Sequence, residues 1–250
     1  MKLNVGCEEI SFGSNIIDLE VPDKLRHKVL TGLNWFDCAM GGEGFTPSAV
    51  TLFTGEPGSG KTTMMLMLAN SLMQKGACVV FNTAEESLYQ IKLVVERLRL
   101  GTGFCVGQET HVPTLLEKCD ALRKKNSNKP FFLIVDSLQC MDDGKYTTGH
   151  INSRSAERAM MMITDYCKEH YCNALVIGQV NKTGQASGTN KIKHMVDSML
   201  HLSVERKDKD LYGCRVLQTT KNRFGGAGIS IFFVLDHRGF DEVARVHASG

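Results

Sequence analysis

Short apolar runs alternate with longer amphipathic stretches along most of the chain. Seven runs of strand length are bounded by Gly, Pro or polar residues: Ala49–Thr54, Ala77–Thr83, Pro130–Asp136, Ala174–Gln179, Met199–Val204, Cys214–Thr220 and Ile229–Leu235. Four stretches space their apolar residues as helices do: Lys61–Lys75, Ser87–Leu98, Val112–Lys125 and Ser155–His170. The alternation predicts an α/β domain with a mostly parallel central sheet flanked by helices.

The two ends of the chain depart from this pattern. The last three strand candidates have only short connections, which predicts an antiparallel extension of the sheet with hairpins around Lys207–Asp210 and Phe224–Gly228. Residues 1–30 fit a small cap, an oligomerisation arm or a leading edge strand. We therefore predict an N-terminal arm or cap over residues 1–30 and one domain over residues 31–250.

Composition restricts the classes of partner and compartment. Apolar residues make up 42% and charged residues 22% of the 250 residues, so the chain can bury a core. The net charge of +2 does not by itself imply binding to nucleic acid or to an anionic membrane, so any polyanion site must be local. No apolar run approaches the ~18 residues of a membrane span, and Glu8 and Glu9 interrupt the position of a secretory signal. We expect a cytoplasmic protein without membrane association.

The nine cysteines are scattered, and no CxxC pair occurs. Cys167 and Cys172 stand five apart beside His170, a spacing that matches no common zinc pattern. Cysteines in reducing compartments commonly pack as small buried hydrophobes. We expect neither a structural metal nor a disulfide.

A phosphate-binding loop follows the first strand candidate. The residues Gly55, Glu56, Pro57, Gly58, Ser59, Gly60, Lys61 and Thr62 form a complete GxxxxGK[ST] motif, and a helical pattern containing Thr63 comes next. Such a loop turns backbone N–H groups toward phosphate oxygens at a helix N-terminus. Lys61 is expected to neutralise the terminal phosphates and the Thr62 hydroxyl to ligate Mg²⁺. The motif predicts binding of ATP with Mg²⁺.

Two acidic residues at strand ends complete the predicted hydrolytic site. Asp136 ends a buried strand, where ligands bind in open parallel sheets, and is expected to hold the metal through its water shell; Asp142 and Asp143 are interpreted as loop acids. Glu85 directly follows another strand and is predicted to be the base that activates water. The alternative is that Glu85 and Glu86 are N-terminal acids of the next helix, which is the favoured interpretation for Glu86.

A polar residue and a lysine-bearing loop follow the fourth strand candidate. Gln179 ends the strand, where its amide can contact the γ-phosphate and report its presence to the loop Asn181–Lys193. Lys182, Lys191 and Lys193 lie among Gly, Ser and Thr residues there. Composition alone favours a solvated linker, but the position of the loop favours a mobile polyanion-binding segment.

Several motifs together resemble the RecA-like ATPases, and most closely their RadA/Sms family, over roughly residues 28–235. Similar segments are Thr31–Asp37 with Gly41-Gly42, Ala84–Ser87 with Gln90–Leu93 and Glu96–Leu98, Asn181–Gly184, His194–Asp197 and the intact KNRFG motif Lys221–Gly225. The resemblance implies a RecA-like core in a hexameric ring or filament, with ATP sites between subunits and a recombinase as a possible further partner. It also implies single-stranded or branched DNA as ligand, contacted by Asp142–Asn152 and Asn181–Lys193.

The same resemblance gives Lys221 and Arg223 a role as cations acting in the neighbouring subunit's site, Arg223 as an arginine finger or DNA contact. The alternative is a surface turn with two solvated bases. Unlike bacterial RadA, this chain shows neither the four-cysteine zinc finger nor the Lon-protease-like domain, so it resembles the bare ATPase core, of bacterial or phage type.

Two functions remain open from the sequence. The first is a DNA-stimulated ATPase, with helicase or translocase activity possible, in recombination, repair or branch migration. The alternative is a KaiC-like regulatory ATPase that switches protein partners without touching DNA, which the near-neutral net charge favours slightly. The lysine-bearing loop and the KNRFG motif favour the first.

Overall fold

A computed structural model describes residues 12–146, 149, 151, 152, 154–179 and 190–247, with the backbone alone for Gln179 and Asn190. Nine strands form one sheet in the order β3-β2-β4-β5-β1-β6-β7-β8-β9. Their bounds are β1 Val50–Gly55, β2 Cys78–Thr83, β3 Cys105–Gly107, β4 Phe131–Asp136, β5 Asn173–Gln179, β6 Ser198–Val204, β7 Arg215–Asn222, β8 Ile229–Asp236 and β9 Gly239–His247. In this spatial order, neighbouring strands from β3 through β2, β4, β5 and β1 to β6 pair in parallel, and neighbouring strands from β6 to β9 pair antiparallel. The predicted α/β class is confirmed.

Helices cover both faces of the parallel part of the sheet. In the described chain they are α1 Asp23–Arg26, α2 Asn34–Ala39, α3 Lys61–Gln74, α4 Leu88–Arg97, α5 Val112–Lys125, α6 Ser155–His170 and α7 Asn190–Met195. Strand β4 shows why two layers form: Phe132 and Ile134 pack with α3, whereas Leu133 and Val135 face α5 and α6. No helix in the described ranges combines the length and the apolarity needed to cross a bilayer.

Two strands, β3 and β9, and three helices, α1, α2 and α7, were not among the sequence predictions. Strand β3 has only three residues, too few to give a period. Strand β9 carries Asp241, Glu242 and Arg245, because it covers the sheet's outer edge and exposes much of its surface. Lys191 and Lys193, which the sequence assigned to a loop, lie in helix α7, whose Ile192 is buried against the core. The interpretation of 190–193 as loop is therefore wrong.

The N-terminal segment within the described chain, residues 12–30, contains a 3-10 turn at Ile16–Asp18 and the single-turn helix α1. Val29 pairs with Phe45 in an isolated antiparallel bridge, with the Val29 N–H donating to the Phe45 carbonyl at 2.8 Å. Phe12, Ile16 and Ile17 are exposed. The assignment of residues 1–30 as an arm or cap stays a prediction.

Candidate nucleotide site

The phosphate loop lies at the carboxyl end of β1, between that strand and α3. Gly58 and Gly60 adopt positive φ angles of 73° and 100°, which turn the chain sharply into the helix. A Cβ on Gly60 would lie 2.8 Å from Cζ of Phe240 and 2.9 Å from Cδ2 of Leu235. The hairpin of β8 and β9 therefore packs against the phosphate loop, an arrangement that the sequence motif does not reveal.

Groups inside the loop fit a phosphate ligand. The Lys61 ammonium donates to the carbonyl oxygens of Gly55 at 3.0 Å and Glu56 at 2.9 Å. Burial lowers the pKa of Lys61, while Asp136 and Glu85 act in the opposite direction. The Ser59 hydroxyl is buried and makes no hydrogen bond to any described residue. A half-buried cation and an unsatisfied hydroxyl in one cradle suit an anion with several acceptor oxygens.

Two hard oxygen donors meet beside this cradle. The Thr62 hydroxyl donates to Oδ2 of Asp136 at 2.7 Å, and such groups are the ligands and outer partners that Mg²⁺ prefers. Asp136 is only 6% exposed. Burial raises its pKa to about 6, the Thr62 hydrogen bond opposes the rise, and Glu85 and Glu86 add to it. A divalent cation would relieve this penalty, so the pair fits Mg²⁺.

Glu85 reaches the same edge from the end of β2. Its Oε1 accepts hydrogen bonds from the Ser137 hydroxyl at 2.5 Å and from the Cys140 thiol at 3.6 Å. The N-cap of α4 is Ser87, which forms a capping box with Gln90. Glu85 and Glu86 thus directly precede the N-cap of the helix, and the interpretation of Glu86 as an N-terminal acid of that helix stays a prediction. The sequence did not single out Ser137, although it directly follows Asp136.

Sequence reasoning missed further groups that surround the phosphate loop. The carboxylate of Glu56 forms a bidentate pair with Arg206, at 2.9 and 2.6 Å, which lowers the pKa of Glu56 chiefly through those hydrogen bonds. The Thr54 hydroxyl lies 3.0 Å from Nδ1 of His201, and burial lowers the pKa of that imidazole. Arg206 follows β6, so it reaches Glu56 only because β6 pairs beside β1.

Gln179 is placed by register alone, because its side chain lies outside the described part of the structure. Its backbone pairs with Gly55 at the end of β1. The strand end therefore adjoins the phosphate loop, as the sequence predicts. The interaction of its amide with a γ-phosphate stays a prediction.

Lys221 and Arg223 lie near the ends of the central strands that are farthest from the phosphate loop. Ser198, at the start of β6, pairs with Thr51 on one side and with Asn222 on the other, whereas Gly55 pairs with Leu202. Four residues of strand, about 13 Å, separate these two levels. A cation at this level is remote from the phosphate loop of the same chain.

The two cations have different partners within the chain. The Lys221 ammonium donates to the carbonyls of Lys193 at 2.8 Å and Val196 at 2.7 Å, and burial lowers its pKa. Arg223 is half exposed and pairs with the buried Asp197 at 3.3 Å. Lys221 therefore joins β7 to the end of α7, while the Arg223 guanidinium remains accessible. The description of both as solvated bases of a turn is wrong for Lys221.

The predicted DNA-contacting residues are only partly described. Lys182 lies outside the described residues, as do positions 147, 148 and 150 of the other loop. Lys191 is exposed, with Glu157 at 3.8 Å, and Lys193 is half-buried. Asp143 is not an ordinary loop acid, because it is buried and pairs with Arg158 of α6.

Comparison with known proteins agrees with this geometry. The ATPase family model named for KaiC matches residues 29–103. The DNA repair protein RadA of Aquifex aeolicus is 30% identical over 219 residues, which cover 87% of this chain and 47% of that protein. RadA of Mycobacterium tuberculosis is 31% identical, covering 85% of this chain and 43% of its own length. The chain thus spans just under half the length of these curated relatives.

Solved structures share the fold at low sequence identity. A KaiC-like protein from Pyrococcus horikoshii OT3 superposes with a TM-score of 0.68 at 16% identity, covering 87% of this chain and 99% of that one. A DnaB-like replicative helicase gives 0.73 at 14% identity, covering 85% and 61%. Together with the phosphate loop and its two carboxylates, the matches show a RecA-like fold with a P-loop, and a chain similar to just under half the length of the RadA proteins.

Proposed function

We propose that this chain is a DNA-dependent ATPase of the RadA type, which couples ATP hydrolysis to single-stranded DNA binding or translocation in recombination or repair. The carrying observation is the hydrogen-bonded position of the Glu85 carboxylate at the sheet edge that also bears Lys61 and Asp136. A site that only bound nucleotide would need the cation and the loop but no second carboxylate.

Each side chain has a defined task in this proposal. Lys61 exchanges its two loop carbonyls for the terminal phosphates of ATP, and residues Gly55–Thr63 enclose the phosphate chain. Thr62 ligates Mg²⁺ and Asp136 holds its water shell; when bound, that ion would offset charge on the phosphates. Glu85 accepts a proton from the attacking water, and the Ser137 hydroxyl fixes the rotamer of the carboxylate. Gln179 senses the γ-phosphate.

The position of Arg223 supports assembly through head-to-tail contacts. The preceding residue, Asn222, lies about 13 Å of strand away from the level of the phosphate loop, so Arg223 suits a neighbour's nucleotide better than its own. Lys221 supports it indirectly by joining β7 to α7. A ring or filament with ATP between subunits is consistent with this arrangement.

The DNA part of the proposal rests on three supports. Curated relatives at about 30% identity are named DNA repair proteins, and the solved DnaB-like helicase that shares the fold is described as interacting with primase. Lys191 and Lys193 supply cations on α7, next to the segment containing Lys182. A KaiC-like regulatory ATPase is the second candidate, favoured by the match of the KaiC model to residues 29–103.

ATPase rates with and without single-stranded DNA separate these functions. We expect Glu85→Gln to bind ATP normally and lose turnover by ~10²-fold or more, whereas Lys61→Ala loses productive binding. Equal loss of nucleotide affinity in both variants would show that Glu85 is structural. A wild-type rate unchanged by DNA, with no DNA binding, would favour the regulatory function.

The lysines are tested by Lys182, Lys191 and Lys193 replaced together by Ala. DNA affinity should fall for all sequences and the salt dependence should flatten by up to ~2 in slope, while basal hydrolysis survives. Replacing the exposed Lys207 and Lys209 by Ala is the control, which should change neither quantity. Unchanged binding in the folded triple variant would remove this segment from the DNA interface.

Trans action of Arg223 is tested by mixing. Arg223→Ala and Glu85→Gln should each keep only a small residual rate, but random co-assembly restores both groups at about a quarter of the heterologous interfaces. Activity should then reappear. Mixtures shown to exchange subunits that give only the sum of the residual rates would exclude the trans role.

A further inference from the structure

A cavity opens at the starts of the central parallel strands, on the side of the sheet opposite to the phosphate loop. It has a volume of about 610 Å³ and lies below the starts of the three central strands β4, β5 and β1. The segment around α1 forms one wall, and the ends of α5 and α6 form the other. We call it the basal cavity. Its size falls in the range of small-molecule sites, ~300–1,000 Å³, and it shares no lining residue with the nucleotide site.

The lining of the basal cavity is strongly basic. Five cations but a single acid, Asp23, face it; the cations are Lys24, Lys28, Lys75, Arg123 and Lys129. Lys28 is paired with Glu43 at 2.7 Å and Arg123 with Asp120 at 2.5 Å. Among the described residues no carboxylate pairs with the other three ammonium groups. The cavity therefore has an uncompensated positive charge.

Helix ends explain only part of this charge. Lys75 caps α3 and Arg123 lies in the last turn of α5, where cations stabilise the negative end of a helix. Lys24 likewise lies in the last turn of the single-turn helix α1, whereas Lys129 lies in the connection from α5 to β4. Burial, aided by Arg123, lowers the pKa of His170, so that imidazole adds little charge at neutral pH.

The remaining lining is apolar and suits the organic part of a ligand. Val29, Leu30, Pro47, Pro130 and Phe131 contribute to the walls. Lysine ammonium groups act as compact point charges that bind phosphate, and the one guanidinium fork is already taken by Asp120. We propose that the basal cavity binds a phosphorylated organic anion of nucleotide size, at a site distinct from the phosphate loop.

This proposal does not rest on the proposed function, and its test avoids the ATPase site. The probe is ADP with a fluorescent label on the ribose, titrated into the full chain carrying Lys61→Ala, with inorganic pyrophosphate as competitor. Lys24→Glu with Lys129→Glu reverses two of the three lining charges that no described carboxylate pairs. Lys125→Glu with Lys209→Glu changes the net charge equally, at exposed lysines outside the cavity lining, and is the matched control.

We expect labelled ADP to bind the Lys61→Ala chain and pyrophosphate to displace it. The cavity pair should weaken binding by ~100-fold, roughly tenfold for each ammonium group removed from the phosphates, and the control should stay within about threefold. The wild-type chain should bind two labelled nucleotides, one of which persists in the cavity variant. If the charge reversal prevents folding, Lys24→Gln with Lys129→Gln gives the same comparison with a milder change.

Three results would overturn the proposal. One is a single nucleotide per wild-type chain that Lys61→Ala abolishes. Another is an equal loss of binding in the cavity and control pairs, which would indicate general electrostatic attraction. The third is displacement of the label by a ten-nucleotide oligothymidine at lower concentration than by pyrophosphate, which would assign the basal cavity to nucleic acid.

Discussion

Replacing Asp136 by Asn should stabilise the protein in the absence of nucleotide. The carboxylate is 6% exposed and its pKa is raised to about 6, mainly by burial. An acid with a raised folded pKa is destabilising when ionised, so its penalty is complete above that pKa and disappears below the unfolded value of 3.8. Two units of pKa correspond to about 3 kcal/mol. Asn keeps the shape and can still accept the Thr62 hydrogen bond.

The prediction has a defined pH dependence. Urea unfolding should show the Asp136→Asn variant more stable by up to about 3 kcal/mol at pH 8, and by less than about 1 kcal/mol at pH 4. With Mg²⁺ and ATP added the order should reverse, because the variant loses the carboxylate that holds the metal's water shell. If the variant is equally stable or less stable than wild type at pH 8 without ligand, the buried and ionised Asp136 carboxylate does not destabilise the folded protein, and the reasoning is refuted.

Two further substitutions test interactions beyond the motif. Gly60→Ala should lose about 2 kcal/mol or more of stability in thermal unfolding, because residue 60 has a positive φ and the new Cβ would collide with Phe240. The control is Gly76→Ala, also at positive φ but with open space around it, which should lose only about 1 kcal/mol. Equal losses in the two variants would contradict the support of the phosphate loop by the β8–β9 hairpin. Lys221→Met should lower the free energy of unfolding by about 1–3 kcal/mol in chemical denaturation, because two carbonyls at the end of α7 lose their hydrogen-bond donor. The exposed control Lys209→Met should change it by no more than about 0.5 kcal/mol. An equally small change for Lys221→Met would show that these two hydrogen bonds are unimportant.

Local sequence determined the elements and the phosphate loop. Strands such as β4 are short apolar runs ended by a polar residue, and the GxxxxGK[ST] motif lies between strand and helix, so both are encoded within a few neighbouring positions. The strands β3 and β9 escaped detection because one is too short for a period and the other is half exposed. The helix at 190–195 was hidden by its polar composition, since only Ile192 is fully buried among its described side chains.

The tertiary structure alone decided which distant residues share an environment. Glu85, Asp136 and Lys61 could be expected at one edge, because parallel strands end together. The pairing of Glu56 with Arg206, 150 positions apart, and the packing of Phe240 behind Gly60 depend on the strand order β1-β6-β7-β8-β9. The basal cavity likewise collects four lysines from three separate segments. Such sites arise from chain topology, which no local period specifies, whereas the motif is specified by consecutive residues.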